Sequence, residues 1–423
     1  MTERLLQYIW QFQYFNKSEL STVDEEPLFI LHPGLLNNNQ GPDFLDAKIK
    51  VSETTWAGNI ELHLKTSDWN NHHHSLDKNY HNIILHVVYE NDQQLNLPFP
   101  VLELKNKISK ILLSRFDDLM NGRAFIPCEK NVPAIESLVW TSWKERLLVE
   151  RLQKKAGMVL QCLSINNHHW EETFWWILAR NFGTKVNSDA FEKIAQSLPV
   201  AILAKHKNQL HQTEALLLGQ AGLLEDNFTE DYPKMLQKEY RFYKKKYRLE
   251  AIKLPLHFLR MRPFNFPTLR LAQLAMLIHQ SHHLFSIIKE TEMVDGVKKL
   301  LQVCANDYWH YHYLPGEPAA FKKKNLGADM INNILINTII PVLFAYGHHH
   351  KEIKYKERAL QWLQQIKAEK NNIVNGYRLL GIKSSNAFDS QALLQLKNEY
   401  CDRKRCLECA VGNKLLRPTT IIN

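Results

Sequence analysis

The sequence predicts an α+β protein, with a mixed sheet flanked by helices at the amino end and a large, mainly helical domain after it. Three observations lead there. Between Pro27 and Pro100 the chain runs in short β-type stretches separated by Gly, Pro and Asn. Beyond Pro100 apolar residues recur at helical spacing, as in 139–163, 171–182, 209–224 and 269–283. At 423 residues the chain also exceeds what one hydrophobic core usually serves. We therefore expect an α/β domain over 1–125 and a helical domain over 126–390. A cysteine-containing segment over 391–423 is expected to pack back on the protein.

Taken in order, the first 25 or so residues place Leu5, Ile9, Trp10 and Phe12 at helical spacing and predict a leading helix. The clearest strands are 44–51, 58–65 and 82–89. In the first, Leu45, Ala47, Ile49 and Val51 share one parity, while Asp46, Lys48 and Lys50 share the other, as a half-buried strand requires. Residues 100–135 form the join. In the helical part, Trp170, Phe174, Trp175 and Leu178 read as a core stripe, and the Gly219 to Leu224 segment as close helix packing. The runs Lys244 to Lys246 and Lys322 to Lys324 read as solvated faces.

Apolar residues make up 45% and charged residues 23%, an ordinary globular balance that excludes wholesale disorder. Lys plus Arg exceed Asp plus Glu by 53 − 44 = 9, compatible with a nucleic-acid partner. The amino end lacks the pattern of a signal peptide. The richest apolar stretch, 331–346, is broken by Asn332, Asn333, Asn337 and Pro341 and reads as a buried helix. The expectation is a cytoplasmic protein without a membrane partner. Neither a phosphate-binding G-x-x-x-x-G-K-[ST] nor a dinucleotide-binding G-x-G-x-x-G motif occurs.

The segment HPGLLNNNQGPDFLDAKIKV followed by WAGNIELHLKTSDW carries the chemistry. Gly41 and Pro42 set Asp43 at the mouth of one strand. On the next, Glu61, His63 and Lys65 project from one face. Two carboxylates on adjacent strands can hold a hard divalent cation, usually Mg²⁺. Such an ion polarises a phosphoryl group and lowers the pKa of the attacking water. Asp43 and Glu61 are the candidate ligands, and His63 or Lys65 the general base or positive charge.

Pro42-Asp43 followed by Glu61-x-His63 resembles the PD-(D/E)xK nuclease superfamily, which implies a short mixed sheet flanked by helices. His63 departs from that pattern, where Lys is usual. The stretch with His72 to His74, Asp77 and Tyr80, ahead of the strand NIILHVVY, resembles the layout of single-strand-nicking and mismatch-repair endonucleases of that superfamily. His86 in this strand reads first as a buried, hydrogen-bonded histidine. Over its whole length the chain also resembles a bacterial family without assigned function, sharing the GPDF, ELH and SDW segments and the terminal cysteines.

Those cysteines follow the spacing Cys401-x4-Cys406-x2-Cys409, which suits Zn²⁺ or an iron–sulfur cluster such as [4Fe–4S]. Both usually take four ligands. Cys128 is the first choice for the fourth, and a His or Cys162 the second. The arrangement resembles the iron–sulfur staples of some DNA-processing nucleases. Finally, Arg260, Arg262 and Arg270 surround two prolines ahead of a helix and are candidate nucleic-acid contacts. The function expected is metal-dependent phosphodiester hydrolysis of DNA or RNA. The alternative is a catalytically inactive scaffold on the same fold that binds nucleic acid or protein.

Overall fold

A computed structural model describes the chain except Asn38, His73, Ser75, Leu76, His282 and 418–423. It is an α+β protein and divides into two compact units, residues 1–143 with 396–423, and residues 144–395. His73, which belongs to the histidine run read from the sequence, lies outside the described residues.

In the first unit the leading helix, α1 (Glu3–Gln11), is capped by the Thr2 hydroxyl, which accepts from the Leu5 N–H at 3.2 Å. It buries Leu5, Leu6, Tyr8, Ile9 and Trp10. The strands are β1 (Leu28–His32), β2 (Leu35–Leu36), β3 (Phe44–Val51), β4 (Thr54–Lys65), β5 (Ile83–Glu90) and β6 (Val101–Glu103). They form one mixed sheet in the order β1-β3-β4-β5-β6, with β2 paired to β3. Pairing is antiparallel as far as β4, then parallel from β4 to β5 and from β5 to β6. The helices α2 (Asp68–Asn71) and α3 (Lys110–Asn121) belong to this part, and a helix near the carboxyl end, Ala410–Leu416, packs on α3.

Two departures from the sequence pattern position the site. The alternation in β3 is interrupted by a bulge, where Asp46 takes a left-handed backbone with φ 58° and the register to β4 shifts between Phe44 and Ala47. Phe44 is thereby buried as well as Ala47. In β4, the residues Ile60 to His63 are buried on both faces. A parallel β4–β5 pair cannot be joined by a tight hairpin and needs a crossover. Residues 66–82 supply it, and their α2 packs on β4. This connection covers the Glu61 and His63 face that simple alternation gives to solvent.

The second unit is helical. The division falls inside α4 (Ser137–Ile165), followed by α5 (Trp170–Phe182), α6 (Thr184–Ser197), α7 (Val200–His206), α8 (Leu210–Gln220), α9 (Asp231–Tyr247) and α10 (Pro267–Gln280). Phe174, Trp175 and Leu178 are core residues, as their spacing indicates. The segment Ala328–His349 is long and apolar enough to cross a membrane, but 72% of its most apolar window is buried inside the protein. A π-helical stretch, Leu335–Ile339, interrupts it. There the Lys155 ammonium donates to the Asn337 side chain at 2.9 Å, and its burial pulls its pKa down to about 7.

The run Lys322 to Lys324 is not uniformly a solvated face. Lys324 is fully buried, and its ammonium lies 3.3 Å from the centroid of the Tyr313 ring, where the π-cloud replaces water. Gly219 bears out the close-packing expectation: a Cβ built there would lie 2.1 Å from Cγ of Tyr240 on α9. Ring and helix backbone cannot both stay in place, so Gly219→Ala is expected to cost about 3 kcal/mol. Urea unfolding checks this. Shortening the ring in Gly219→Ala/Tyr240→Leu should recover part of the loss.

Candidate metal and acid site

Asp43 enters β3 directly after the Gly41–Pro42 turn, and its contacts bind three elements together. Gln7 of α1 donates to one carboxylate oxygen at 2.8 Å, and the Leu62 N–H of β4 donates to the other at 3.1 Å. The Asp43 N–H in turn donates to Oε2 of Glu61 at 3.0 Å. The two carboxylates are therefore neighbours across the β3–β4 pair. Burial is the main cause that raises both above the ordinary carboxylate range, helped by Glu3 at Asp43 and by Asp43 at Glu61. Such a pair holds a proton in the absence of a cation, and a cation is what lets both ionise.

Three imidazoles stand against the acids. Glu61 Oε1 lies 3.6 Å from Nε2 of His63 and 3.5 Å from Nε2 of His74. His63 Nε2 lies 3.1 Å from Nδ1 of His72 and 3.3 Å from Nε2 of His74. Among the described residues, His63, His72 and His74 form a group whose ligand atoms all fall within 4.8 Å of one another. On the other side of its ring, Nδ1 of His63 meets Nε2 of His86 at 2.8 Å. The parallel register pairs Glu61 with His86, so these groups share one sheet face. Trp69, Tyr80 and Phe99 wall the site, with the His74 and Tyr80 rings tilted by 32° and their centroids 3.9 Å apart.

Burial, then the neighbouring imidazoles, pushes His63 down to about 2 and His86 to about 3, and His74 is lowered too. All three rings stay neutral at physiological pH, the form in which histidine binds metal.

The sequence-derived set is only partly brought together. Asp43, Glu61 and His63 meet. Lys65 does not join them: its side chain is exposed, and its charge is felt at Asp92, a carboxylate held low chiefly by Ser67. The β4 strand ends there, and its backbone N–H is taken by Asp68 at 3.0 Å. Gln7, His72, His74 and His86 were not among the residues assigned to the site. The legible signal for two of them was a pair of histidines spaced by one residue, nine positions after His63. Gln7 carried no signal, because the helix that delivers it belongs to another part of the chain.

The cysteines form a second group in the same unit. Cys406 and Cys409 flank a 3-10 turn and are both buried. Gly412 closes so tightly on this turn that a Cβ would lie 2.1 Å from the Cys406 carbonyl oxygen. Cys128 packs on the same core as Cys406. Burial raises the Cys128 and Cys406 thiols to about 12. Cys406 and Cys409 add to this at Cys128, and Cys409 and Cys401 at Cys406, so Cys406 is within electrostatic reach of the other three sulfurs. At Cys409 burial also raises the thiol, opposed by the N–H groups of Gly412 and Val411 and by the Trp143 indole. Cys162 belongs to the second unit, where Glu192 and Arg180 are its charged neighbours.

In the arginine loop, Arg260 and Arg262 are exposed. Arg270 is buried, and its guanidinium donates to Gln273 at 3.0 Å and Asn265 at 2.7 Å. It holds the loop to α10 from within and does not offer a phosphate contact.

No curated protein matches the chain, and no solved structure does. The chain belongs to the family described as protein of unknown function DUF2851, whose model matches residues 3–372 and so takes in the whole acid–histidine site and Cys128.

Proposed function

We propose that the protein is a metal-dependent nuclease that hydrolyses phosphodiester bonds of DNA or RNA at the Asp43–Glu61 site. The observation that carries this reading is the direct link between the two acids, with the Asp43 N–H on Glu61 and both carboxylates on adjacent strands beside neutral imidazoles. The resemblance to the PD-(D/E)xK superfamily agrees with a mixed sheet whose antiparallel β3–β4 pair continues into a parallel strand. A bound divalent ion, Mg²⁺ in the sequence expectation, would supply Lewis-acid stabilisation and a water of lowered pKa. Glu61 and Asp43 offer carboxylates, Gln7 and the Leu62 N–H orient Asp43, and His86 orients His63.

A structural ion belongs to the same reading. Cys128, Cys401, Cys406 and Cys409 would hold zinc or an iron–sulfur cluster and tie the end of the chain to the sheet unit. A second function, a catalytically inactive scaffold for nucleic acid or protein, is favoured by one observation. His63 stands where lysine is usual, and the Lys65 side chain is exposed.

Incubation of the full chain with single- and double-stranded DNA and RNA, with and without Mg²⁺ or Mn²⁺, separates these functions. The nuclease reading expects cleavage that a chelator stops. It also expects binding that weakens with salt at a log–log slope of about −0.7 to −0.9 per phosphate contact. Arg260→Ala and Arg262→Ala should each flatten that slope by about one unit. Binding without cleavage favours the scaffold. Neither binding nor cleavage at about 50 mM salt points to a protein partner.

A further inference from the structure

The acid–histidine site has the dimensions of one particular kind of ion. His63 Nε2 meets His72 Nδ1 at 3.1 Å, His74 Nε2 at 3.3 Å and Glu61 Oε1 at 3.6 Å, and the last two are 3.5 Å apart. A tetrahedral ion at about 2.0–2.1 Å from each ligand atom sets those atoms about 3.3 Å apart along every edge. Four of the six edges bracket that value, and the ligand atoms of His63, His72 and His74 all lie within 4.8 Å of one another. Paired hydrogen bonds explain contacts two at a time, whereas here one nitrogen meets three other ligand atoms, contributed by a strand and by the crossover that follows it.

We infer that Glu61, His63, His72 and His74 bind one divalent transition-metal ion of the zinc class, with Asp43 outside its ligand set. Imidazole nitrogens suit zinc and its neighbours, while Mg²⁺ requires oxygen ligands in near-octahedral array. The surrounding contacts orient the ligands accordingly. His86 faces Nδ1 of His63 at 2.8 Å, which leaves Nε2 for the ion. The Asp43 N–H occupies Oε2 of Glu61, which leaves Oε1. Both oxygens of Asp43 are already engaged by Gln7 and Leu62. His74 is buried but His72 is exposed, so the ion has a solvent side where a water or a substrate oxygen can enter. This inference rests on the nuclease reading for the place of the site and its need for a metal; it moves the ion from the Asp43–Glu61 carboxylate pair to Glu61 and three histidines and says nothing about the substrate.

The test is metal binding by the chelator-stripped full chain, titrated with Zn²⁺ by calorimetry and with Co²⁺ by visible spectroscopy. Ligand-field bands without thiolate charge transfer report this site and separate it from any ion held by the cysteines. His72→Ala is the informative variant, because an exposed ligand can be removed without opening the core. It should weaken zinc binding at this site by about 100-fold or more, beyond the effect usual for outer-shell changes, and abolish the cobalt bands. His74→Ala should do the same. Unchanged stoichiometry and affinity in both variants overturns the inference, as does displacement of zinc by about millimolar Mg²⁺. Zinc bound here without any cleavage of nucleic acid overturns the nuclease reading and leaves this one standing. Mg²⁺-dependent cleavage that survives His72→Ala does the reverse.

Discussion

Replacing Glu61 by Gln should abolish cleavage, with a loss of at least about a thousand-fold at neutral pH, while the protein keeps its melting temperature. The rate loss follows from the Lewis-acid contribution of a metal, worth several kcal/mol, since about 4 kcal/mol corresponds to three decades of rate. The stability side is specific to this site. Glu61 is 5% exposed, and its Oε2 accepts the Asp43 N–H. A glutamine carbonyl can accept the same hydrogen bond, and the neutral amide is spared the burial cost that a carboxylate pays there. Asp43→Asn removes the partner acid at greater structural risk. Its two oxygens accept from different donors, Gln7 and Leu62, and asparagine has one acceptor. The oxygen can keep the Leu62 N–H if Gln7 turns its own carbonyl toward the new amide. Circular dichroism and thermal melts establish folding for each variant, and a cleavage assay reads the function. Full cleavage by the double variant would assign the activity to a contaminant or another site.

How far the site was legible depended on which residues strand geometry alone determines. Alternation in 58–65 was enough to put Glu61 and His63 together, and the Pro42-Asp43 turn supplied the third group. The same alternation carries Lys65, the last residue of the strand, to an exposed position. What alternation does not show is that this face is covered: β4 pairs in parallel with β5, and the crossover this demands lies on the face itself. Parallel pairing is a long-range property with no local signature in 54–65, so the histidine run at 72–74 and His86 stood out in the sequence without their contacts to His63 and Glu61 being legible. The β3 bulge was hidden for a related reason, since Asp46 at φ 58° breaks a pattern that reads as regular. Arg270 shows the opposite failure. Three guanidinium groups in one loop look alike in sequence, and only the fold separates the buried one, bonded to Asn265 and Gln273, from the two that are exposed.

Cys128→Ser should release the structural ion as completely as Cys406→Ser, although 409 − 128 = 281 positions separate Cys128 from the last cysteine. This is the demanding form of the cysteine prediction, because a three-thiol site at the chain terminus predicts no effect at position 128. The structural basis is that Cys128 packs on the core that contains Cys406, and that the charges of Cys406 and Cys409 are felt at its thiol. Without an ion, Cys406 and Cys409 are buried thiols, Cys128 and Cys401 are partly buried, and burial favours the protonated form of Cys128, Cys406 and Cys409. With one, the thiolates are neutralised and the donors at Cys409, two N–H groups and the Trp143 indole, act on a charged sulfur. Zinc held by thiolates contributes about 10–16 kcal/mol of apparent binding free energy in small domains. A loss of only about 5 kcal/mol should lower the melting temperature by about 10–20 °C in a unit of this size. Protein purified without oxygen should hold at the cysteines either one equivalent of zinc or iron with a visible absorption shoulder, apart from any ion at the histidines. Cys401→Ser and Cys409→Ser should behave like the other two, and Cys162→Ser and Cys304→Ser should retain both metal and stability. Metal-free protein with an unchanged melting temperature in all four variants would leave the quartet as reduced thiols in a core. A full complement of metal in Cys128→Ser would place the fourth ligand elsewhere.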